Sequence, residues 1–469
     1  MIPVSCGEIA DVVGGRLVGV EPTAVVDGAV VIDSRAAGPG GLFVALPGER
    51  VDGHDYVGTA TAAGVTASLT GRPIDGSPCI VVADQQKALG DLARMVISRL
   101  PNLTVIALTG SSGKTSTKDL IGQLISPYGE TVVPEGSFNN EIGHPLTALE
   151  ATPATKYLVA EMGARHRGDI AYLCGITPPA VGLVLNIGTS HIGEFGSQDN
   201  IAVAKGEIIE AVAPGGTAIL NADDHRVAAM RSRTNERVLT FGEAPEADLR
   251  AEGVKLDGEG RPAFTLHVGD FSGDVQLQFI GEHYVSNALA AAAVAHELGM
   301  SASEIATALS EAGSLSRWRM EVTERPDGVT VVNDAYNANP ESMRAALRAL
   351  AAMGKGRRTW AVLGKMAELG DEALAEHDAV GRLAVRLNVG KLVAVGGREA
   401  SWLQLGAYNE GSWGEESVHV SDAQAAVDLL RSELRPGDVV LVKASRSVGL
   451  ESVAEALLAG GTEGEVAAR

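Results

Sequence analysis

The chain has 469 residues, of which 45% are hydrophobic and 21% are charged, and its formal net charge is −21. This length is enough for about three domains of roughly 150 residues each. The negative charge disfavours nucleic acid or an anionic membrane as a partner, and no apolar run approaches the roughly 20 residues of a transmembrane helix.

The cysteines and the N-terminus bear on the compartment. Three cysteines at wide spacing indicate neither a disulfide framework nor a zinc site. The first residues lack the basic and apolar segments of a signal peptide. We therefore expect a protein of the reducing cytoplasm.

Short strands alternate with turns in the first hundred residues. Apolar runs over 25–31 and 42–46 predict strands, and stretches rich in Gly and Pro over 38–41 and 47–50 predict turns. A helix is predicted over 86–100, where Pro101 ends it. We place the first domain boundary there and expect an N-terminal domain over 1–101, a central domain over 102–314 and a C-terminal domain over 315–469.

The most informative motif begins after an apolar run over 105–108, which predicts a buried strand. A loop of glycine and serine follows, and Lys114 and Thr115 then stand just ahead of a predicted helix over 117–125. This order lets backbone N–H groups surround a phosphate and directs a helix N-terminus at it. Lys114 can neutralise the outer phosphates, and the Thr115 hydroxyl can hold Mg²⁺. The sequence therefore predicts a nucleoside triphosphate site.

The motif departs from the usual spacing. The pattern G-x-x-x-x-G-K-S/T would place glycine where Leu108 stands. The alternative interpretation is a Gly-Ser turn followed by a surface lysine.

Strands and helices alternate through the rest of the chain, which predicts parallel, doubly wound sheets. In the central domain, strands are predicted over 157–160, 181–186 and 217–220, helices over 200–212 and 283–298, and an antiparallel hairpin over 263–279. In the C-terminal domain, strands are predicted over 329–332, 360–363, 392–395 and 439–442, and helices over 340–353 and 421–434.

The fold class is thus α/β with three domains. A central P-loop domain is built on a parallel sheet, the C-terminal domain is Rossmann-like but lacks a G-x-G-x-x-G motif, and the N-terminal domain is smaller and mixed. The residues from 460 onward predict a frayed tail.

Three further side chains of the central domain are candidates for a chemical role. Glu161 ends a predicted strand, where a carboxylate can hold Mg²⁺ or simply cap a turn. His191 follows the next strand, and taken alone a loop histidine is the simpler interpretation. Lys205 lies on a predicted helix, where a surface lysine is the simpler interpretation.

Two groups stand out near the start of the C-terminal domain. Asp334 and Asn337 follow a predicted strand and suit ribose and adenine, or else an N-cap cluster ahead of Pro340. Arg317 and Arg319 form a basic spot that suits a γ-phosphate or is merely a pair of surface arginines.

These segments together resemble the Mur ligase family, the ATP-dependent amide ligases of peptidoglycan precursor synthesis. The family's shorter phosphate loop, G-S/T-x-G-K-S/T, accommodates Leu108. Within the family, the likeness is to the member that joins D-alanyl-D-alanine to UDP-N-acetylmuramoyl-tripeptide. The segments that carry this likeness are 33–35, 52–54, 139–146, 334–343, 364–370 and 441–447.

Two details qualify the likeness. The string D-N-P-R, which marks the ligase that adds the third residue, is absent from the chain. Lys365 stands where relatives often have an acidic residue.

The resemblance implies ATP and two Mg²⁺ ions as cofactors and a monomer. The substrates that it implies are UDP-N-acetylmuramoyl-tripeptide and D-alanyl-D-alanine. It implies an acyl phosphate intermediate and closure of the C-terminal domain over the central one. Phosphate contacts are implied for Gly110, Ser111, Ser112, Gly113, Lys114, Thr115 and Ser116, and adenosine contacts for Asn287, Asp334 and Asn337. Metal binding is implied for Thr115, Glu161, His191 and Lys205, the lysine after carbamylation by CO₂.

Other implied roles concern the γ-phosphate and the substrates. The resemblance makes Arg317 the γ-phosphate arginine and expects Lys114, His191, Lys205 and Arg317 to take part in catalysis. Substrate contacts are implied for Ser34 and Arg35 (uridine nucleotide), Asn139 and Asn140 (muramoyl-peptide), and Lys443, Ser445 and Arg446 (dipeptide).

Other functions stay open at this stage. Another Mur-type step or a folylpolyglutamate synthase would share the central and C-terminal plan, but the latter lacks a UDP-binding N-terminal domain. A GTP-dependent switch would read guanine with N-K-x-D, and the chain contains no Asn-Lys pair. A small-molecule kinase would not need a third domain.

Overall fold

The computed structural model describes residues 1–48 and 51–459. The turn predicted over 47–50 extends onto Glu49 and Arg50, and the tail predicted from residue 460 lies wholly outside the described residues. No helix among the described residues has the length and apolar character needed to cross a membrane.

The N-terminal domain contains a five-stranded sheet and a two-stranded one. Its strands are β1 (Val4–Ser5), β2 (Arg16–Val18), β3 (Val25–Val26), β4 (Val30–Val31), β5 (Leu42–Val44), β6 (Ala67–Thr70) and β7 (Cys79–Val81), and its α-helices are α1 (Cys6–Val13), α2 (Val57–Ala62) and α3 (Gln85–Ser98). The larger sheet has the order β2-β7-β6-β5-β4, in which only β2 is antiparallel, and β1 pairs with β3. The strand predicted over 25–31 is divided, because Asp27 and Gly28 both donate their N–H groups to the Gly40 carbonyl.

The central domain is built on one nine-stranded sheet of order β16-β15-β14-β13-β12-β11-β8-β10-β9. Its strands are β8 (Thr104–Thr109), β9 (Thr131–Val132), β10 (Tyr157–Glu161), β11 (Val181–Val184), β12 (Thr217–Asn221), β13 (Arg237–Gly242), β14 (Leu249–Leu256), β15 (Pro262–Val268) and β16 (Phe271–Gln276). Its helices are α4 (Lys114–Ile125), α5 (Gly143–Ala148), α6 (Asp169–Ile176), α7 (Ile192–Phe195), α8 (Gln198–Lys205), α9 (Glu207–Glu210), α10 (His225–Ala228), α11 (His283–Glu297) and α12 (Ala302–Glu311).

Strands β8 to β14 are parallel, whereas β14, β15 and β16 form an antiparallel meander at one edge. The hairpin predicted over 263–279 is therefore confirmed, but it extends the central sheet through β14. In the sheet, β8 lies between β10 on one side and β11 on the other, so the strand order reverses about β8. The carboxyl end of β8 is thus a topological switch point, where ligands bind in such sheets.

The C-terminal domain has a six-stranded sheet of order β17-β18-β22-β19-β20-β21, in which only β17 is antiparallel. Its strands are β17 (Glu321–Glu324), β18 (Thr330–Asn333), β19 (Thr359–Leu363), β20 (Lys391–Val395), β21 (Ser417–Val420) and β22 (Val439–Lys443), and its helices are α13 (Pro340–Met353), α14 (Ala373–Arg386), α15 (Arg398–Asn409), α16 (Ala423–Glu433) and α17 (Glu451–Ala459). Helix α13 has the predicted bounds, because Asn339 caps its N-terminus and Pro340 occupies the first position.

The two larger sheets meet through their loops. Segments that follow β8, β10 and β11 in the central domain contact segments that follow β18 and β19 in the C-terminal domain, as the distances below show. The candidate site therefore lies between the carboxyl ends of two parallel sheets.

Candidate active site

The phosphate loop joins β8 to α4. Gly113 has φ +80°, a left-handed conformation that glycine adopts without strain, and α4 begins at the next residue. The Lys114 ammonium donates to the Gly110 carbonyl at 2.7 Å. Burial lowers the pKa of Lys114, and the nearby Glu161 carboxylate opposes that shift. The first N–H groups of α4 have no preceding turn to bind, so the helix offers them to an anion.

An oxygen-rich cluster lies beside this loop. The Thr115 hydroxyl donates to Oε2 of Glu161 at 3.0 Å and lies 2.9 Å from the Ser137 hydroxyl. Asn139 donates its amide to Oε1 of Glu161 at 2.6 Å. Glu161 is 1% exposed, so its carboxylate is buried between neutral donors. Such a carboxylate suits a cation, and hydroxyl and carboxylate oxygens are ligands that Mg²⁺ accepts.

Lys205 faces the same region from the end of α8. It is 2% exposed, and within residues 1–48 and 51–459 its ammonium forms no hydrogen bond or ion pair. Burial, with Lys114 nearby, holds the pKa of Lys205 well below its usual value. Burial thus shifts this side chain towards the neutral amine, and the surface interpretation is excluded.

The loop after β11 is bound to the phosphate loop. Gly188 donates its N–H to the Ser111 hydroxyl at 2.9 Å, and Ser190 donates its hydroxyl to the Ser111 carbonyl at 3.0 Å. Asn186 accepts the N–H groups of Ser111 and Ser112 on its side-chain oxygen, at 3.1 and 3.0 Å. The loops that follow β8 and β11 thus form one unit.

His191 ends that loop and touches the C-terminal domain. It has φ +59°, a conformation that is uncommon for a residue with a side chain. Its Nδ1 lies 2.5 Å from Oε2 of Glu368, and this contact lowers the pKa of the Glu368 carboxyl. Within the described residues, no group of three or more His, Cys, Asp and Glu side chains could hold a metal by itself. Glu161 and His191 therefore need other ligands, such as phosphate oxygens, to bind one.

The structure brings Arg319, and not Arg317, to the phosphate loop. Arg319 donates from Nη2 to the Thr115 hydroxyl at 2.9 Å and to the Ser137 hydroxyl at 3.1 Å, and its guanidinium stacks on Tyr336. The Arg317 side chain is 72% exposed and its nearest ion-pair contact is with Glu455 at 3.8 Å. The residues on either side of Arg319, Trp318 and Met320, both have positive φ.

Asp334 and Lys443 form a buried pair. Lys443 Nζ donates to Asp334 Oδ2 at 2.7 Å and to the Asn337 carbonyl at 2.8 Å, and Lys443 is 3% exposed. Burial lowers the pKa of Lys443, although Asp334 opposes that shift. Lys443 is thus held by Asp334 and by the backbone at Asn337.

A cavity of about 580 Å³ opens next to Arg319 and reaches the start of α11. Phe279 and Tyr284 line it with stacked rings whose centroids are 4.6 Å apart. Tyr284 lies 3.5 Å from the Ser116 hydroxyl. Asn287 packs against Gly113, where an added Cβ would meet its side-chain oxygen. An aromatic cavity beside a phosphate loop suits a nucleobase.

The predicted substrate residues are more scattered. Ser445 accepts the Ala367 N–H at 2.9 Å, and Arg446 pairs with Glu451 and stacks on Trp318. Asn140 is exposed and accepts the Gly143 N–H. Ser34 begins a short turn in the N-terminal domain, and Arg35 has an 89% exposed side chain paired with Asp33. Ser34, Arg35 and Asn140 lie outside the cluster around Glu161, whereas Asn139 belongs to it.

Sequence reasoning missed several residues of this site: Ser137, Asn186, Ser190, Asn339, Glu341 and Glu368. Asn339, Glu341 and Glu368 stand inside segments that carry the family resemblance, which was the available signal. Their contacts cross between domains, and no local pattern identifies such contacts.

Comparisons with known proteins agree with this architecture. Three family models match in chain order: the Mur ligase family catalytic domain over 28–96, the Mur ligase middle domain over 108–295 and the Mur ligase glutamate ligase domain over 318–446. The UDP-N-acetylmuramoyl-tripeptide--D-alanyl-D-alanine ligase of Mycobacterium tuberculosis is 50% identical over 99% of this chain and 100% of its own length. The enzyme of that name from Escherichia coli is 37% identical over 98% of this chain and 100% of its own length.

Solved structures show the same fold. The crystal structure of MurF from Acinetobacter baumannii has a TM-score of 0.88 and 34% identity, and the match covers 97% of this chain and 99% of that one. MurF ligase from Thermotoga maritima in complex with ADP has a TM-score of 0.81 and 29% identity, and the match covers 93% of this chain and 98% of that one. The resemblance inferred from the sequence and the three-domain α/β fold are both confirmed. The named relatives match nearly the whole chain, and the three family models match it in order. The chain therefore belongs to the Mur ligase family.

Proposed function

We propose that this protein is the ATP-dependent amide ligase that joins D-alanyl-D-alanine to UDP-N-acetylmuramoyl-tripeptide in peptidoglycan precursor synthesis. The observation that carries the proposal is the site shared by two domains, in which the phosphate loop, Glu161 and the buried Lys205 lie beneath loops of the C-terminal domain. The relatives of that name, aligned along their full length, supply the substrate identity.

The nucleotide would lie across the domain interface. Lys114 and the first N–H groups of α4 would bind its phosphates. The guanidinium of Arg319, which lies beside Thr115, would reach the γ-phosphate. The base would enter the aromatic cavity beside Tyr284 and Asn287, with the Asp334–Lys443 pair and Asn337 near the ribose. We thus assign to Arg319 the γ-phosphate role that the resemblance implied for Arg317.

The metal-binding role rests on the donor set. Thr115, Glu161 and His191 would supply oxygen and nitrogen ligands for Mg²⁺, of which the resemblance implies two ions. Bound there, Mg²⁺ would screen the charge that repels a carboxylate from the γ-phosphate. Glu161 fits this role because its buried carboxylate accepts hydrogen bonds from two neutral donors, Asn139 and Thr115.

We propose that Lys205 is carbamylated, and its burial supports this proposal. A neutral amine attacks CO₂, and the nitrogen loses a proton as the new C–N bond forms, so the product is a carbamate with negative charge. Burial lowers the pKa of Lys205 and so favours the neutral form that this step needs. The product would add a carboxylate-like ligand beside Glu161 and His191.

The chemistry requires activation of an acid and exclusion of water. The terminal carboxylate of the tripeptide would take the γ-phosphoryl group, the dipeptide amine would attack the acyl phosphate, and phosphate would leave. Alignment of both reactants supplies up to about 7–11 kcal/mol of the barrier in ideal cases. Docking of the C-terminal domain on the loop at 188–191 would keep the acyl phosphate from water.

The two remaining substrate regions are assigned more coarsely. Ser34 and Arg35 would contact the uridine nucleotide, and Asn139 and Asn140 the muramoyl-peptide. Ser445 and Arg446 would lie near the incoming dipeptide, whereas Lys443 donates a hydrogen bond to Asp334. We propose that the protein acts as a monomer.

A coupled ADP-release assay tests the function. UDP-N-acetylmuramoyl-tripeptide, ATP and Mg²⁺ are supplied with or without D-alanyl-D-alanine, and a parallel reaction contains glutamate and a folate. We expect ADP release that depends on the dipeptide, with the joined product detected by mass spectrometry. Equal release with the folate would favour a folylpolyglutamate synthase and refute the proposal.

A further inference from the structure

Glu368 joins the C-terminal domain to the central domain at His191. Glu368 lies in the segment after β19, and no sequence motif predicts a role for it. Its two carboxylate oxygens face different partners: Oε2 lies 2.5 Å from Nδ1 of His191, and Oε1 lies 3.4 Å from Nη2 of Arg165. Both partners belong to the central domain, so this carboxylate spans the interface.

The backbone at this contact is specialised. His191 has φ +59° and Glu368 has φ +61°, and neither is glycine. Residues with side chains hold this conformation only where the surrounding structure imposes it, which happens chiefly at functional sites. Here the two such residues face each other across the interface.

Two glycines bring the chains together beside them. A Cβ on Gly193 would lie 2.8 Å from the Gly370 nitrogen, and a Cβ on Gly370 would lie 2.9 Å from the Gly193 Cα. Gly193 also donates its N–H to the Glu368 carbonyl at 3.4 Å. The backbone therefore approaches closely enough for the Glu368 side chain to reach His191.

A histidine that binds a metal through one ring nitrogen usually directs the other at a carboxylate or carbonyl, which fixes the tautomer and the orientation of the ring. Nδ1 of His191 is buried, and the Glu368 carboxylate is the acceptor beside it. The two groups are close but do not meet the angular criteria for a hydrogen bond, and such contacts commonly become aligned when ligands bind.

We infer that Glu368 is a positioning residue: it fixes the His191 imidazole for Mg²⁺ binding, so that the metal site of the central domain is completed by docking of the C-terminal domain. The inference rests on the proposed function for the nature of the metal site. It adds that a carboxylate of the C-terminal domain controls a metal ligand of the central domain.

The test measures metal affinity without turnover. Mn²⁺ is added to the full-length protein saturated with ADP, and free Mn²⁺ is followed by electron paramagnetic resonance. Glu368→Ala is expected to weaken Mn²⁺ binding by about 10-fold, at the lower end of the effect of such partners. Glu399→Ala is the matched control, because Glu399 is an ion-paired carboxylate whose partner, Lys365, lies in its own domain.

Coupling to His191 distinguishes a positioning role from a structural one. His191→Ala should weaken Mn²⁺ binding at least as much, and Glu368→Ala should add nothing in the His191→Ala background. Gly193→Ala, which forces the two backbones apart, should weaken binding in the same way. Additive losses in the double variant, or an effect of Glu368→Ala no larger than that of Glu399→Ala, would overturn the inference.

Two safeguards keep the outcome clear. If Glu368→Ala does not fold, Glu368→Gln decides, because it keeps the size of the side chain but weakens the acceptor: a loss of Mn²⁺ affinity supports the inference, and wild-type affinity overturns it. If the wild-type protein joins the two substrates and the Glu368 variants bind Mn²⁺ with wild-type affinity, the inference is refuted and the proposed function stands. Wild-type protein that never ligates the two substrates refutes the proposed function.

Discussion

The half-buried Lys114 and the buried Lys205 and Lys443 have three different environments in the site. Lys443 is paired with Asp334, Lys114 donates to the Gly110 carbonyl, and the Lys205 amine has no partner among the described residues. Burial lowers the pKa of all three, because desolvation disfavours the charged form. Lys205 is therefore retained at a cost to stability, which is typical of a residue kept for function.

The cost of Lys205 is measurable. Lys205→Met is expected to raise the free energy of unfolding by about 1–3 kcal/mol in bicarbonate-free buffer, because a buried polar group without a partner is replaced by an apolar one. It should abolish ligation. Urea unfolding checks the first expectation, with exposed Lys255→Met as the control that should change little. A less stable Lys205→Met would contradict this account.

The same substitution has a defined pH dependence. The folded-state pKa of Lys205 lies well below 10.5, so the unfolded chain binds a proton that the folded chain does not. Wild-type stability relative to Lys205→Met should thus rise with pH and level off near 10.5, where the unfolded lysine also loses its proton. Unfolding curves at several pH values for both proteins check the sign.

The two arginines of the linker should differ sharply. Arg319→Ala removes the guanidinium beside Thr115 and is expected to lower kcat by about 10²–10³, the usual loss for one electrostatic donor. Arg317→Ala, whose side chain is largely exposed, should leave kcat within a few-fold of the wild type. Steady-state kinetics at saturating substrates check both variants. A larger loss in Arg317→Ala would restore the role that the resemblance implied.

The element that carries Lys205 is interrupted. The helix predicted over 200–212 is divided at Gly206 into α8 and α9. Arg233 occupies the space beside Gly206 and donates to the carbonyls of Ala202 and Val203, at 3.0 and 2.9 Å. These carbonyls lie in the last turn of α8, so Arg233 caps the helix just where Lys205 points into the site.

Gly206→Ala should expose this arrangement. Its Cβ would collide with the Arg233 guanidinium, and we expect a loss of about 1–3 kcal/mol in the free energy of unfolding as the charged hydrogen bonds are displaced. In an Arg233→Ala background the same change should be neutral or slightly stabilising, since alanine forms helix better than glycine by about 1 kcal/mol. Denaturant unfolding of the four proteins checks the cycle, and equal effects in both backgrounds would contradict it.

The strands that the sequence predicted best are buried and parallel. The runs over 360–363 and 439–442 correspond to β19 and β22, because strands covered on both faces read as continuous apolar segments. Strand β14 was not predicted, since it is half exposed and its pairing with β15 is interrupted between Glu252 and Lys255. The helix predicted over 200–212 corresponds to α8 and α9, which are divided at Gly206, where Arg233 packs against the chain.

At the scale of the molecule, the site depends on contacts between distant parts of the chain. Asn339, which caps α13, also donates to the Ser190 hydroxyl at 2.5 Å and to the Ser111 carbonyl at 3.3 Å. Motif spacing located the phosphate loop and the segment around Asp334 separately. It could not predict that they meet, because 228 positions separate Ser111 from Asn339 and no local period links them.

Glu341 offers a direct test of this docking. Its Oε1 accepts both the N–H and the hydroxyl of Thr189, each at 2.9 Å, and Glu341 is the second residue of α13. Glu341→Ala leaves both donors unpaired, and hydrogen bonds to a charged group contribute about 1.5–3 kcal/mol each. We expect the docked arrangement to be populated less, with a larger radius of gyration in small-angle X-ray scattering and a kcat lowered by about 10-fold or more.

The control for this variant lies on the same domain but away from the interface. Glu410→Ala removes a carboxylate whose ion-pair partners within residues 1–48 and 51–459 are Arg382 and Arg386 of helix α14, so it should leave the radius of gyration and kcat unchanged. Glu341→Gln keeps an acceptor for Thr189 and should fall between wild type and Glu341→Ala. If Glu341→Ala scatters like the wild type yet loses activity, the carboxylate acts in the chemistry rather than in docking, and closure must depend on Asn339 and Glu368 instead.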